Sequence, residues 1–159
     1  RISTKAAFMI PPTENKTMEK RNAEMERLLR ERFGKNNVMA LATLDGANPC
    51  ARYVNAYYED GAFYIVTYAK SAKMLQLERN SSCAICGEWF SARAKGENLG
   101  WFRREENRQI AVALRRVFAE WIDNGHNNFD DPDCIILKLR LLSGTLYSHG
   151  TRYDIDFTA

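Results

Sequence analysis

A short loop between two strand-like segments most constrains how this chain can fold. The segments Cys50–Tyr58 and Ala62–Thr67 are rich in aromatic and β-branched residues, which favour strands. Only Glu59, Asp60 and Gly61 separate them. So short a connection joins neighbouring antiparallel strands, because a parallel crossover needs roughly a dozen residues or more. The sequence therefore predicts a β-hairpin here.

The hairpin belongs to a chain in which strands dominate and helices are inserted between them. Further strands are predicted at Val38–Leu44, Ser82–Phe90, Cys134–Leu142 with a continuation over Thr145–Ser148, and Arg152–Phe157. Helices are predicted at Glu19–Phe33, from Ser71 to Asn80, and at Glu105–Asn124, and Ser91–Trp101 is predicted as a loop or an irregular strand. This order excludes a doubly wound parallel sheet. It favours a mainly β fold, an antiparallel barrel with flanking helices.

The segment after the hairpin has the residue types of an anion site. A strand ending at Thr67 leads through a short loop to Ser71, where a helix can begin, and to Lys73. Hydroxyl groups, an ammonium group and the free N–H groups of a first helical turn all favour phosphate. The alternative is an ordinary junction, in which Ser71 is only the N-cap and Lys73 is solvated.

Composition excludes several classes of function. The 159 residues are 45% hydrophobic and 27% charged, which suits a globular domain with its own core. No run approaches the ~18 apolar residues of a membrane-spanning helix, so we expect no membrane partner. The net charge is +3 and the basic residues are dispersed, so we do not expect nucleic acid as a partner.

The first 17 residues are expected to differ in role from the rest of the chain. Because the sequence starts at Arg1 and Met18 would make a natural start, residues 1–17 are interpreted as an N-terminal extension or a cloning remnant. Residues 18–159 are predicted to form one domain.

The four cysteines do not have the pattern of a metal site. Cys83 and Cys86 form a C-x-x-C pair, but no second pair or nearby histidine completes a zinc set. On a strand, residues three apart point to opposite faces. We expect buried free thiols in a reducing, cytoplasmic compartment and no metal.

The order of these elements resembles a known family. The segment VMALATLDGANPCARYVNAYYEDGAFYIVTYAKSAKMLQLERN is similar to the FMN-binding split barrels related to pyridoxamine 5′-phosphate oxidase. The shared pattern is an LAT strand, a tight turn, an arginine on the second strand, the hairpin, and S-x-K opening a helix. The resemblance covers Phe33 to about Trp101 well, and it implies an antiparallel split β-barrel that binds FMN.

The resemblance also implies which residues hold the phosphate end of the flavin. Arg52 would reach the phosphate or the ribityl chain, and Thr67 and Tyr68 would contact it at the end of the third strand. Ser71 and Lys73 would clamp the phosphate at the start of the helix. The chemistry agrees, because a phosphate dianion is best held by a guanidinium, an ammonium and hydroxyl groups together.

At the ring end, the resemblance implies contacts along a strand edge and across a dimer interface. Backbone N–H groups at Val54 and Asn55 would reach the pyrimidine end of the flavin ring. In such proteins the ring lies at a two-fold dimer interface, so a homodimer is expected. Trp89, Asn98 and Trp101 are candidates for covering the ring from the partner.

The activity is less defined than the cofactor. The Arg-x-His type of substrate motif is missing near the C-terminus, so pyridoxamine phosphate oxidation is not the reaction that we expect. His126 and His149 stand in loops and are interpreted as solvated or capping residues. No catalytic residue is assigned, as expected where the cofactor carries the chemistry. The leading hypothesis is an FMN-dependent oxidoreductase that moves electrons between a reduced nicotinamide or small donor and a small acceptor. The alternative is a non-catalytic flavin- or haem-binding sensor.

Overall fold

The computed structural model describes residues 17–159, which form eight strands, three α-helices and one 3-10 helix. The predicted extension, residues 1–17, lies outside the described part except for its last residue. The strands are β1 (Glu19–Lys20), β2 (Asn37–Asp45), β3 (Asn48–Glu59), β4 (Ala62–Tyr68), β5 (Ser82–Gly87), β6 (Phe90–Trp101), β7 (Cys134–Ser148) and β8 (Thr151–Asp156). The helices are α1 (Ala23–Phe33), α2 (Ala72–Arg79) and α3 (Arg108–Val117), with the 3-10 helix at Glu105–Asn107.

Six of the strands close into a barrel. The sheet runs in the order β1-β8-β7-β4-β3-β2-β5-β6, and an additional pairing between β6 and β7 closes the ring. All the pairings within the ring are antiparallel. β8 extends the sheet outside the ring beside β7, and β1 pairs with β8 in parallel. The predicted antiparallel split β-barrel is confirmed.

The barrel is split between β3 and β4. β3 pairs with β2 along Asn48–Ala56 but with β4 only at Tyr57–Glu59. Within the described part of the chain, the edge of Cys50–Ala56 that faces β4 therefore has no strand partner. Strands that separate in this way leave backbone groups open to another chain or to a ligand.

Helices α1 and α2 cover the barrel core. Asn22 caps α1 by accepting a hydrogen bond from Met25 N at 2.9 Å, and α1 buries Leu29 and Phe33 in the main cluster. This cap places the start of the helix four residues later than the periodicity predicts, since Glu19 and Lys20 form β1. Met74 and Leu77 of α2 are buried in the same cluster.

A second hydrophobic cluster lies outside the barrel, beneath α3. Its buried members include Leu114, Phe118 and Ile136. The long strand β7 serves both clusters, because Leu137 and Leu139 point into the barrel whereas Ile136 points toward α3. This alternation follows from the two-residue period of a strand.

The structure corrects the predicted bounds of three elements. The helix expected at Glu105–Asn124 begins with a 3-10 turn and ends at Val117, and the segment after it is a series of turns in which Phe118 and Ile122 are buried in the second cluster. The strand predicted to reach Phe90 ends at Gly87. The segment Ser91–Trp101, predicted as a loop or an irregular strand, belongs to β6, which begins one residue earlier and has two register shifts, so the irregular-strand alternative is confirmed. No helix within residues 17–159 has the length and apolar character to cross a membrane.

The cysteines are free, as predicted, but not all are buried. Cys134 is buried, Cys50 and Cys83 are half-buried, and Cys86 is exposed. The prediction of buried thiols is wrong for Cys86, because its side chain lies on the face of β5 opposite to that of the buried Ile85. Burial raises the pKa of the Cys83 thiol to about 11. Within the described residues, no group of histidine, cysteine or acidic side chains is arranged to hold a metal ion.

Candidate functional site

The start of α2 presents donors that the protein does not satisfy. Ser71 is the N-cap in extended conformation, and its carbonyl accepts the first helical hydrogen bond from Leu75 N at 3.1 Å. The N–H groups of Ala72–Met74 therefore lack intrahelical acceptors. The Ser71 side chain makes no capping bond, and its buried Oγ has no partner in the described part of the chain. A buried hydroxyl without a partner is unfavourable, so this atom indicates a missing ligand.

Arg52 reaches the same end of the barrel from β3. Its Nη1 donates to Thr43 Oγ1 at 2.6 Å and to Leu41 O at 3.2 Å. Its Nη2 donates to Gln76 Oε1 on α2 at 3.0 Å. These bonds tie strand β3 to strand β2 and helix α2, so the guanidinium is held in place without a carboxylate.

Lys73 is a cation without a counter-charge. It is half-buried, and within the described residues it makes no ion pair. Burial lowers the pKa of the Lys73 ammonium, and the nearby Arg52 guanidinium lowers it further. Lys70 provides a contrast three residues earlier, because it is exposed and pairs with Asp133 at 3.3 Å. The protein therefore neutralises Lys70 and leaves Lys73 uncompensated.

We call Arg52, Ser71, Lys73 and the N–H groups of Ala72–Met74 the cationic cluster. Two like charges held near each other are unfavourable unless an anion lies between them. Guanidinium, ammonium, hydroxyl and backbone N–H donors together match a phosphate group. The residues fit the phosphate end of a phosphorylated ligand, on the basis of their unpaired charges and the orphan hydroxyl.

The other predicted residues of this end lie on β4 and β3. Thr67 is half-buried opposite Ile135, and Tyr68 ends β4 with 46% of its surface exposed. Tyr68 O accepts from Ser71 N at 3.0 Å, so the strand end and the start of α2 form one turn. Val54 and Asn55 lie on the part of β3 that β4 leaves open, with the Val54 side chain buried in the barrel.

Three predicted residues are not brought to the cationic cluster within one chain. Trp89 is 66% exposed and packs against Tyr147, with ring centroids 6.3 Å apart. Trp101 donates to Phe129 O at 2.8 Å, away from the split. Asn98 lies on β6, where it accepts from Gly100 N at 2.8 Å and lines a 400 Å³ cleft on the other side of α2. Their predicted role across a dimer interface stays a prediction.

Sequence reasoning missed two residues that hold Arg52. Thr43 belongs to the LAT segment that carries the resemblance, and Gln76 lies one helical turn after Lys73. Thr43 is 1% exposed, and its hydroxyl lies 2.6 Å from Gln76 Oε1. No local pattern marks these residues, since their pairing depends on how α2 docks onto β2.

A sizeable cleft lies elsewhere on the described residues. A cleft of 930 Å³, here called the α3 cleft, opens between α3, β6 and the β3–β4 turn. It is lined by Arg30, Glu59, Asp60, Tyr64, Asn98, Leu99, Arg104, Glu106, Asn107, Gln109, Ile110 and Lys138. Several of its charges are already paired, as in Arg104–Glu106 at 2.9 Å and Asp60–Arg21 at 3.0 Å. We regard the cationic cluster as the better site, because its charges lack partners.

Comparisons with known proteins agree with this architecture. A family profile described as pyridoxamine 5′-phosphate oxidase matches residues 25–140. No curated protein sequence matches the chain.

Solved structures share the fold at low sequence identity. General stress protein 26 from Bacillus anthracis is similar with a TM-score of 0.57 and 14% identity, over 76% of this chain and 92% of its own. A FAD-binding protein from Mesorhizobium loti has a TM-score of 0.56 and 14% identity, over 77% and 91%. A heme-binding protein from Mycobacterium smegmatis has a TM-score of 0.63 and 16% identity, over 86% of this chain and 59% of its own. Identities this low establish the fold alone.

Proposed function

Because the chain belongs to the pyridoxamine 5′-phosphate oxidase family, we propose that it is a flavoprotein that binds FMN. The observation that carries the proposal is the uncompensated cationic cluster at the start of α2, where, among residues 17–159, Lys73 has no acidic partner and Ser71 Oγ has no hydrogen-bond partner. Both would gain a partner from a terminal phosphate. The proposed domain is residues 18–159.

The proposed position of the flavin ring follows from the split. The phosphate would lie against Arg52, Ser71 and Lys73, with Thr67 and Tyr68 beside it. From there the ring would extend along the open edge of β3 toward Val54 and Asn55, whose strand edge lacks a partner from β4. When bound, FMN supplies a two-electron redox centre, and the protein holds it in place.

A homodimer is part of the proposal. The outer face of β2, β3 and β5 is mostly small and apolar, and Ala40 lies in register between Tyr53 and Cys86. Tyr53 is 80% exposed and Val38 is 67% exposed on this face. Large exposed apolar groups on a smooth sheet support association with a second copy. Trp89 and Asn98 would then cover the flavin ring that is bound by the partner subunit.

Sedimentation tests the dimer. We expect Tyr53→Arg to convert the dimer into a monomer, because a charge would be buried without a partner. Val112→Arg is a matched control, since Val112 is 63% exposed on α3, outside this face. A wild-type chain that sediments as a monomer with FMN bound would refute the dimer.

The proposed activity is electron transfer between a reduced nicotinamide or other small donor and a small acceptor, in the cytoplasm, where the four free cysteines would stay reduced. Rapid mixing of the FMN-loaded protein with NADH or NADPH, followed by flavin absorbance, tests it. Fast bleaching supports an oxidoreductase, whereas a flavin that stays oxidised supports a sensor.

The fold similarity to the heme-binding protein from Mycobacterium smegmatis makes haem the second candidate ligand. A visible spectrum of the purified protein separates the two. Flavin gives a yellow protein, and haem gives an intense Soret band.

We expect the purified protein to contain FMN. The Arg52→Ala and Lys73→Ala variants should lose bound FMN, and the Lys70→Ala variant should retain it. A protein that refuses added FMN would refute the proposal.

A further inference from the structure

The hydrogen bonds around Arg52 use only part of its guanidinium. An arginine carries five N–H donors. Two on Nη1 bond Thr43 Oγ1 and Leu41 O, and one on Nη2 bonds Gln76 Oε1. In the described part of the chain, no acceptor bonds Nε or the second Nη2 hydrogen. The protein grips one edge of the guanidinium and leaves the adjacent edge free for a two-pronged contact with a phosphate.

Thr43 and Gln76 form the grip as a small connected network. The Thr43 hydroxyl accepts from Arg52 and donates to Gln76 Oε1 at 2.6 Å, so that oxygen accepts two hydrogen bonds. The Gln76 amide nitrogen faces Cys50 Sγ at 3.8 Å, which fixes the orientation of the amide. Because Thr43 is almost completely buried, solvent cannot replace these bonds.

The charge of the acceptor matters as much as its position. Gln76 and Thr43 orient Arg52 without neutralising it, because an amide and a hydroxyl carry no net charge. A carboxylate in the place of the Gln76 amide would hold the guanidinium equally well. It would also form an ion pair, and an incoming phosphate would have to compete with it.

We propose that Gln76 and Thr43 are positioning residues that aim Arg52 at a terminal phosphate and leave its charge available. They make the site select phosphorylated flavin over the unphosphorylated one. The inference rests on the proposed function and adds residues that touch neither the phosphate nor the ring.

Paired titrations with FMN and riboflavin test the role. Flavin fluorescence is followed while each ligand is added to flavin-free wild type, Gln76→Glu and Thr43→Val. We expect Gln76→Glu to weaken FMN binding by about 10- to 100-fold and riboflavin binding by less than about twofold. Thr43→Val should act in the same direction with a smaller change. Glu78→Gln, an exposed substitution on the same helix, is the control and should leave both affinities unchanged.

A second readout separates positioning from simple damage. Gln76→Glu should keep or raise the thermal stability of the flavin-free protein, because it adds an ion pair to Arg52, while FMN binding falls. An equal loss of FMN and riboflavin affinity, or an unchanged FMN affinity in Gln76→Glu, would overturn the positioning role and leave the proposed function intact. A wild type that binds neither flavin would overturn both.

Discussion

The cationic cluster and the α3 cleft are both polar, but their charges are organised in opposite ways. In the α3 cleft, Arg104 pairs with Glu106 and Asp60 pairs with Arg21. In the cationic cluster, burial and then the nearby Arg52 guanidinium lower the pKa of Lys73, and the side chains that accept hydrogen bonds from Arg52 are neutral. The cleft has a volume of about 930 Å³, yet within the described residues it is the cluster that contains a buried hydroxyl without a partner, Ser71 Oγ.

This difference indicates that volume alone does not identify a ligand site. Charges that are already paired, such as those of Arg104 and Glu106 in the cleft, need no ligand to neutralise them. Two unpaired cations beside an orphan hydroxyl raise the free energy of the folded protein, and an anion lowers it again. Matched substitutions in the two regions test this difference.

The largest effect is expected from Lys73→Ala. FMN affinity should fall about 100-fold, because a charge-assisted contact to the phosphate is lost. Lys138→Ala, which removes a half-buried lysine from the α3 cleft, should change FMN affinity less than about twofold. Fluorescence titration measures both. An equal loss of FMN affinity in the two variants would contradict the assignment of the phosphate site to the cationic cluster.

Arg52→Ala should also destabilise the flavin-free protein. The substitution removes the donor to Thr43 Oγ1 and to Leu41 O and one of the two donors to Gln76 Oε1, which costs about 1–3 kcal/mol in free energy of unfolding. Arg104→Ala breaks an exposed ion pair in the α3 cleft and should cost at most about 0.5 kcal/mol. Urea denaturation compares the two. A larger loss in Arg104→Ala would contradict the assignment of Arg52 to a buried network.

Ser71→Ala is expected to act in opposite directions with and without the ligand. Removal of the orphan hydroxyl should stabilise the flavin-free protein by up to about 1 kcal/mol, since no capping bond is lost. FMN affinity should fall, because the phosphate loses a donor. Melting temperatures with and without FMN measure both effects. Destabilisation of the flavin-free protein would show that the hydroxyl is satisfied in solution.

Alkaline titration should give the smallest effects, with opposite signs in the two regions. The folded-state pKa of Lys73 is lowered by burial and by Arg52, so its charge disfavours folding below that pKa. The penalty disappears as pH rises toward 10.5, and stability increases. The pKa of Tyr64 in the α3 cleft is raised by burial and then by Glu59, so its contribution is present below pH 10 and is lost as pH rises through the folded-state pKa. The free energy of unfolding is measured against pH for wild type, Lys73→Met and Tyr64→Phe. The difference between each variant and wild type gives the contribution of that residue to the pH dependence.

The parts of the fold that depend on local chemistry could be predicted from the sequence. The short loop after Tyr58 defines the β3–β4 hairpin, and the Ser71–Lys73 spacing marks the start of α2. Arg52, on β3, was assigned to the same group by the resemblance to the split-barrel family and not by local spacing. Their role as flavin ligands remains a proposal.

The parts that depend on long-range packing could not be predicted. Thr43 and Gln76 meet only after α2 has docked on β2, and no residue spacing in the sequence predicts that contact. The helix predicted to reach Asn124 stops at Val117, and the turns that follow bury Phe118 and Ile122 in the second cluster as a longer helix would have done. A periodic pattern of apolar residues does not distinguish a longer helix from a series of packed turns.

Strand β7 has a consequence for how the protein unfolds. Its alternate residues belong to different cores, with Leu137 and Leu139 in the barrel and Ile136 beneath α3. Neither core can open without removing one face of the same strand, so the two should melt as one cooperative unit. Native-state hydrogen exchange would then find its slowest amides in the middle of β7, with a single opening free energy shared by the barrel and the layer that carries α3.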